Sequence, residues 1–252
     1  MRFASLLVLV PLTITPALYG ASVVFTDLTF NLANYSESPV FGSSGSDSAT
    51  FSQCSTCGNP GQALQIAITL PTAFDLVAVG FANNAFSYNP STQGAILTID
   101  ASVDKNIISN IPVDTSTSLG NTFRPLIEQD GTFYLAAIAG PTFDGGTTGF
   151  NTLSQSGLQA SDFLSYDFTT GTFGTANPNF AGDPILLGLA QIAQFSSDNV
   201  NFMGIYDNLD LTVNTAAVNT VPEPSELLPM LLVLAGFACA RRSAWHRGAK
   251  IH

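Results

Sequence analysis

Two segments near the end of this chain indicate its fold: residues 185–195 (ILLGLAQIAQF) and residues 201–213 (NFMGIYDNLDLTV). The first is almost continuously apolar and the second is rich in aliphatic and aromatic residues, as strands of a buried sheet are. The residues between them, 196–199 (SSDN), are typical turn formers. The pattern therefore predicts two antiparallel strands joined by a tight turn.

Similar short runs recur between residues 22 and 138 and are separated by residues that favour turns. They are 22–30, 63–70, 74–81, 95–103 and 133–138. Lysine and glutamate, which cover the exposed faces of helices, are nearly absent between residues 21 and 220. We therefore predict an all-β domain, an antiparallel jelly-roll-like β-sandwich, between an N-terminal signal helix and a C-terminal hydrophobic helix.

The N-terminus has the layout of a secretory signal peptide. Arg2 supplies a positive charge, residues 3–18 are almost wholly apolar, and the small residues Gly20 and Ala21 follow. We predict a signal peptide over residues 1–20. Cleavage after Gly20 is favoured over cleavage after Ala21, which would place the bulky Tyr19 at a recognition position.

The last thirty-two residues combine a proline motif, an apolar run and a basic end. The motif is Val221-Pro222-Glu223-Pro224-Ser225, and the apolar run is 227–240. The prolines restrict the motif to an extended conformation, in which a protease could read it. The run is shorter than the roughly 20 residues of a full membrane span. The basic pair Arg241-Arg242 follows, as expected on the cytoplasmic side of a membrane segment.

This tail resembles the PEP-CTERM sorting signal of exported bacterial proteins. The resemblance implies that a membrane transpeptidase, an exosortase, recognises the motif while the apolar helix holds the chain in the membrane. It places the protein in the envelope, on the surface or in the extracellular matrix of a Gram-negative-type bacterium. The predicted organisation is a signal peptide (1–20), an ectodomain (21–213), a linker (214–220) and a sorting signal (221–252), whose basic tail is 241–252.

The charge balance excludes several classes of function. The whole chain has a net charge of −11, and between residues 21 and 220 only Lys105 and Arg124 are basic. A nucleic acid would be repelled, so it is not a predicted partner. The same residues contain no histidine, which excludes Ser-His-Asp and Cys-His catalysis. Glu37 and Glu128 are the only glutamates there, and nothing in the spacing of the carboxylates selects a catalytic pair for glycoside hydrolysis.

Cys54 and Cys57 form the one compact cysteine motif, between two stretches rich in glycine and serine. In an exported protein they are expected to form a local disulfide that fixes a turn. A redox role is the alternative, although no helix follows the motif as thioredoxin-like chemistry requires. A zinc site at this motif would lack sufficient ligands, because Cys239, His246 and His252 lie in the tail.

Residues 181–188 and 204–213 are similar to the closing strands of exported lectin-like and carbohydrate-binding jelly-roll domains. No individual sugar-binding residue can be assigned from this resemblance. The closest acidic cluster, Asp207, Asn208 and Asp210, is a candidate calcium site if the strand bulges there, and the alternative is a solvated strand edge. No other cofactor is predicted. Seven aromatic residues are candidates for sugar stacking, although phenylalanine in strands is usually buried in the core. They are Phe81, Phe86, Tyr88, Phe163, Tyr166, Phe168 and Phe173.

Three functions follow from these patterns, in decreasing order of support. The first is a non-enzymatic cell-surface or matrix protein that is sorted through its tail. The second is a glycan-binding module on the same export route, with extracellular polysaccharide as its partner and calcium as a candidate cofactor. The third is a carboxylate-dependent glycoside hydrolase.

Overall fold

The computed structural model describes residues 20–110, 118–137 and 149–216, and strands dominate these ranges. The strands are β1 (Ser22–Asp27), β2 (Tyr35–Glu37), β3 (Phe41–Gly42), β4 (Ser48–Gly58), β5 (Gly61–Leu70), β6 (Leu76–Tyr88), β7 (Ile96–Ser109), β8 (Ser118–Gln129), β9 (Thr132–Ala136), β10 (Asn151–Leu158), β11 (Phe163–Asp167), β12 (Thr172–Phe173), β13 (Ile185–Phe195) and β14 (Val200–Thr215). One short α-helix, α1 (Pro90–Gln93), and two single-turn 3-10 helices (Leu32–Asn34 and Ala160–Asp162) are described, and no helix in these ranges has the length and apolarity needed to cross a bilayer.

The strands form two antiparallel sheets. The first sheet has the order β10-β7-β14-β5-β4, and β1 also pairs with β14. The second sheet has the order β12-β11-β9-β8-β13-β6-β2, and β3 also pairs with β6. The long strand β14 pairs with β5 through residues 200–206 and with β1 through residues 209–214, while β7 follows its other side. The predicted all-β antiparallel sandwich is confirmed.

The main core lies between the two sheets because alternate residues of each strand point inward. Rings meet in this core, as Phe51 of β4 does with Phe81 of β6 and Phe195 of β13 with Phe202 of β14. One buried polar contact also joins the sheets: the Tyr206 hydroxyl donates to Oε1 of Gln191 at 2.7 Å. Burial raises the pKa of Tyr206 well above its ordinary value, since the phenolate would lose its hydration.

A lysine is also buried. Lys105, on β7 opposite Tyr206 of β14, is only 3% exposed, and its Nζ lies 5.2 Å from the centre of the Tyr206 ring. Loss of hydration on burial lowers the pKa of the Lys105 amine to about 7. One of the two basic residues between residues 21 and 220 is therefore removed from the protein surface.

The second sheet is apolar on its outer face as well. Ala78, Ala82, Leu126 and Ala190 point away from the main core, and Phe168, from the turn between β11 and β12, packs over them. A Cβ at Gly80 would lie 2.7 Å from the Phe168 ring, so this glycine leaves room for the ring. Burial of both faces explains why β6 and β13 are continuously apolar in sequence.

The predicted signal peptide (1–20), except for Gly20, and the predicted sorting signal (221–252) lie outside the described residues. The described residues belong to one compact unit, Tyr19–Ala217. Strand β14 extends to Thr215, two residues into the segment predicted as a linker.

Candidate functional site

The outer face of the first sheet contains a depression of about 430 Å³ near the end where β14 begins. Three adjacent strands line it, through residues 67–69 of β5, 108–110 of β7 and 201–203 of β14. The register places Met203 opposite Ala67 on one side and opposite Ile108 on the other. The small Ala67 side chain therefore lies beside the larger Met203 side chain.

The lining of the depression combines apolar and uncharged polar side chains. Ile108 is 57% exposed, which is unusual for an isoleucine within a strand. Asn201, Thr69 and Asn110 supply amide and hydroxyl groups, and none of the described residues that line the depression is charged. A small number of oriented polar groups on an apolar surface is the usual composition of a small-molecule site.

Hydrogen bonds hold these polar groups in place. The Thr69 hydroxyl donates to Oδ1 of Asn201 at 2.8 Å, across the β5–β14 pair. The Asn110 side chain accepts from the Asn201 backbone N–H at 2.8 Å and donates to the Asn199 carbonyl at 3.0 Å. Asn201 is therefore fixed by both neighbouring strands, and its Nδ2 group donates to no acceptor among the described residues.

The described cations lie away from this face. Lys105 points into the main core, while Arg124 lies on the outer face of the second sheet, where its guanidinium sits 5.4 Å from the centre of the Phe173 ring and donates to the Ala136 carbonyl. Burial lowers the pKa of Arg124, and the nearby Tyr166 opposes this shift. Carboxylates thus dominate the electrostatics of the first sheet.

The candidate calcium cluster lies further along β14. The register shifts between Asp207 and Asp210, and Asn208 has a left-handed φ of 51°, so the strand has the bulge that convergence of these residues requires. Both Asp207 oxygens accept backbone N–H groups, from Asn59 and Asn208, and the side chain is fully buried. The Asp207 oxygens are therefore already engaged by protein donors.

The other members of the cluster are engaged as well. The Asn208 amide donates to Oδ2 of Asp104 at 2.8 Å and to the Asn59 carbonyl at 3.0 Å, while Asp210 accepts from Thr26 and Thr212. Hydrogen bonds from Thr152, Asn208 and Asn59 lower the pKa of Asp104 against the opposing effect of burial. Among the described residues, no group of three or more His, Cys, Asp or Glu side chains could hold a metal ion. Calcium binding at Asp207, Asn208 and Asp210 stays a prediction.

The hairpin tip that covers Asp207 lies next to the cysteine motif. Cys54 and Cys57 form a disulfide within β4, where the register against β5 shifts between Cys54 and Gly58. The turn itself follows at Asn59 and Pro60. The disulfide therefore lies within a strand, whereas the sequence predicts that it fixes a turn. Within the part of the chain that the structure describes, β4 is an edge strand that pairs only with β5, and a polar sequence is compatible with such a position.

Six of the seven candidate stacking aromatics belong to the interior. Phe81, Phe86, Tyr88, Phe163, Tyr166 and Phe168 are all buried. Phe173 is 40% exposed and rests on Arg124 and on the edge of Tyr166. Burial raises the pKa of the Tyr166 hydroxyl to about 12.

Sequence reasoning did not single out the residues of the depression. One signal was present: Ile107 and Ile108 are consecutive apolar residues at the end of β7. Because side chains alternate between faces along a strand, one of two consecutive isoleucines must point outward. The predicted sorting residues Val221, Pro222, Glu223, Pro224, Ser225, Arg241 and Arg242 lie outside the described residues.

No protein-family model and no curated protein matches this chain. Among solved structures, it is similar to a family 11 carbohydrate-binding module from Clostridium thermocellum in complex with a β-1,3-1,4-mixed-linked tetrasaccharide. That similarity has 11% sequence identity and a TM-score of 0.39, and covers 78% of this chain and 96% of the module. It is also similar to a structure of carbohydrate-binding modules from the β-sandwich superfamily, with 12% identity and a TM-score of 0.35 over 74% of this chain and 61% of that one.

Proposed function

We propose that this chain is an exported, non-catalytic β-sandwich that binds neutral glycans and is sorted through its C-terminal segment to the cell envelope or extracellular matrix. The depression on the outer face of the first sheet carries the binding part of the proposal. The Ile108 and Met203 side chains provide an apolar surface for the C–H face of a sugar ring. Asn201 and Thr69 provide the amide and hydroxyl groups that pair with sugar hydroxyls.

The charge distribution favours a neutral glycan over an acidic one. The described lining has no charged residue, and of the two basic residues between 21 and 220 one is in the core and the other is on the opposite sheet. A polymer of uronic acids would meet net repulsion without a cation to pair with its carboxylates. Neutral polysaccharide avoids this cost, because its hydroxyl groups need only hydrogen-bond partners.

The sequence at the two ends supports the export part of the proposal. The signal-like residues 1–20 and the PEP-CTERM-like residues 221–252 flank the sandwich in the order that an exosortase substrate requires. A non-enzymatic role is supported by composition, because residues 21–220 contain no histidine.

Replacing Asn201 with alanine is expected to weaken binding to a neutral polysaccharide roughly tenfold, because the amide and the orientation of Thr69 are lost together. The measurement is affinity electrophoresis in gels containing a neutral β-glucan or a polyuronate, each with and without calcium. The matched control is Asn214→Ala, at the far end of β14, whose amide donates to Thr98 and Asp100.

The wild-type chain should be retarded by the neutral gel alone, and Asn214→Ala should behave like the wild type. Retardation that appears only with calcium would assign the ion a role in binding. Failure of every neutral gel to retard the wild-type chain contradicts the binding proposal.

The sorting proposal predicts a new C-terminus near Pro224. Intact-mass spectrometry of the protein recovered from a host with the sorting enzyme should show loss of residues 227–252, and a Pro222→Ala, Pro224→Ala variant should keep them. An unprocessed wild-type chain in such a host contradicts sorting.

A further inference from the structure

We propose that strand β4 is a self-association edge, on which a second copy of this chain adds its own β4 to extend the first sheet. Within the described residues β4 pairs only with β5, so its other side presents unpaired backbone N–H and C=O groups. Such an edge is a template for another strand. The inference is independent of glycan binding.

Four of the other described edge strands carry features that oppose strand addition, and β1, which pairs only with β14 among the described residues, ends at the charged Asp27. Strand β10 has a register shift between Gln155 and Leu158, with Gly157 at a φ of 70°. In the second sheet, β12 and β3 have two residues each and β2 has three. Short and bulged edges are the usual protection against unwanted pairing.

Strand β4 lacks these protections over its first half. Residues 48–54 pair one-to-one with β5 without a register shift, and the whole strand contains no charged residue and no proline. The disulfide bulge begins only after Cys54, and the Gln53 side chain contacts the Thr29 carbonyl. The regular, open part of the edge is therefore residues 48–52.

The side chains of this part fit a copy of themselves. Ser48, Thr50 and Ser52 are exposed on one face, where antiparallel pairing would set hydroxyl groups against hydroxyl groups. Ala49 and Phe51 are half-buried on the core side, and a second copy would cover them with the same residues. A twofold axis makes such contacts self-complementary.

Charge also favours a second copy at this edge. The chain has a net charge of −11, so two copies repel each other, and an uncharged strand lets them approach with the least local repulsion. Association should consequently strengthen with salt, which screens the remaining carboxylates.

The test is sedimentation velocity of the exported chain, as recovered from cells, over a concentration series at low and high salt. A reversible dimer is expected, with a larger dimer fraction at high salt. Thr50→Lys should weaken dimerisation roughly tenfold or more, because two lysines are opposed at the edge. The substitution also lowers the net negative charge of the chain. A general effect of charge would therefore strengthen association, which is the opposite of the expected result.

The matched control is Ser154→Lys, an exposed serine on the bulged edge strand β10. It should dimerise at least as well as the wild type. Equal urea midpoints for both variants and the wild type exclude unfolding as the cause. A wild-type chain that is monomeric at every concentration and salt overturns the proposal, as does a Ser154→Lys variant that dissociates as fully as Thr50→Lys.

Discussion

Replacing Lys105 with methionine should stabilise the sandwich by roughly 3–5 kcal/mol at pH 6. The buried amine has a pKa of about 7 in the folded chain, against its ordinary value of 10.5. Below pH 7 the folded protein must hold a buried ammonium, which has lost its hydration. Methionine has a similar length and no charge, so it fills the same space beside the Tyr206 ring without that cost.

The pH dependence of the free energy of unfolding follows from the difference between the folded and unfolded pKa values of Lys105. Between pH 7 and 10 the unfolded chain binds a proton at Lys105 and the folded chain does not, so the wild-type free energy of unfolding should rise with pH. The advantage of Lys105→Met should shrink to about 1–2 kcal/mol at pH 9.5. Urea unfolding from pH 6 to 9.5 measures the free energy of unfolding of both proteins. Burial raises the pKa values of Tyr35, Tyr88 and Tyr206, so ionisation of these tyrosines destabilises the fold only at higher pH. A difference that is constant with pH contradicts the assignment.

Replacing Asp27 with alanine should destabilise the protein by about 3–5 kcal/mol, because buried donors would lose their acceptor. Oδ1 of Asp27 accepts from the N–H groups of Thr29 and Phe30, at 2.9 and 2.8 Å. Oδ2 accepts from the Tyr35 hydroxyl at 2.9 Å and from the Asn83 amide at 3.4 Å. The carboxylate thus ties the end of β1 to the second sheet and holds Phe30, which has a φ of 48°.

Equilibrium urea unfolding at pH 7 measures this loss. Asp210→Ala is the matched control, because Asp210 lies on β14 opposite Thr26 and accepts only from hydroxyl groups at 3.2 and 3.3 Å. The control should lose about 0.5 kcal/mol. Asp27→Asn, which keeps one acceptor oxygen, should fall between the two. Similar losses for Asp27→Ala and Asp210→Ala contradict the structural role of Asp27.

The strands whose bounds are predicted best from the sequence are paired on both sides within their sheets. Strand β13 has the predicted bounds, Ile185–Phe195, and β5 and β14 agree within two residues. Strands β4 and β10 could not be predicted, because both are edge strands whose serine, threonine and glycine residues are typical of loops. At an edge, pairing on one side supports such residues in a strand.

The depression was harder to predict than the strands around it. Its residues come from β5, β7 and β14, which are far apart in sequence, and only the register brings Thr69, Ile108 and Asn201 together. The bulge at Asp207 to Asp210 was stated as a condition for calcium binding, and it is present. The sequence of β14 alone does not show which donors bind the carboxylate oxygens of this bulge, because those donors depend on the position of the β4–β5 hairpin.

The length of β14 separates the depression from the point where the chain leaves the described residues. The depression lies at the start of this strand, near Asn201, and the chain leaves the described domain at its other end, after Thr215. The first described residues are there too, since the Thr215 N–H donates to the Ala21 carbonyl at 2.9 Å. At a rise of about 3.3 Å per residue, the two ends are roughly 40 Å apart. The depression and the point where the chain leaves the described residues therefore lie near opposite ends of β14.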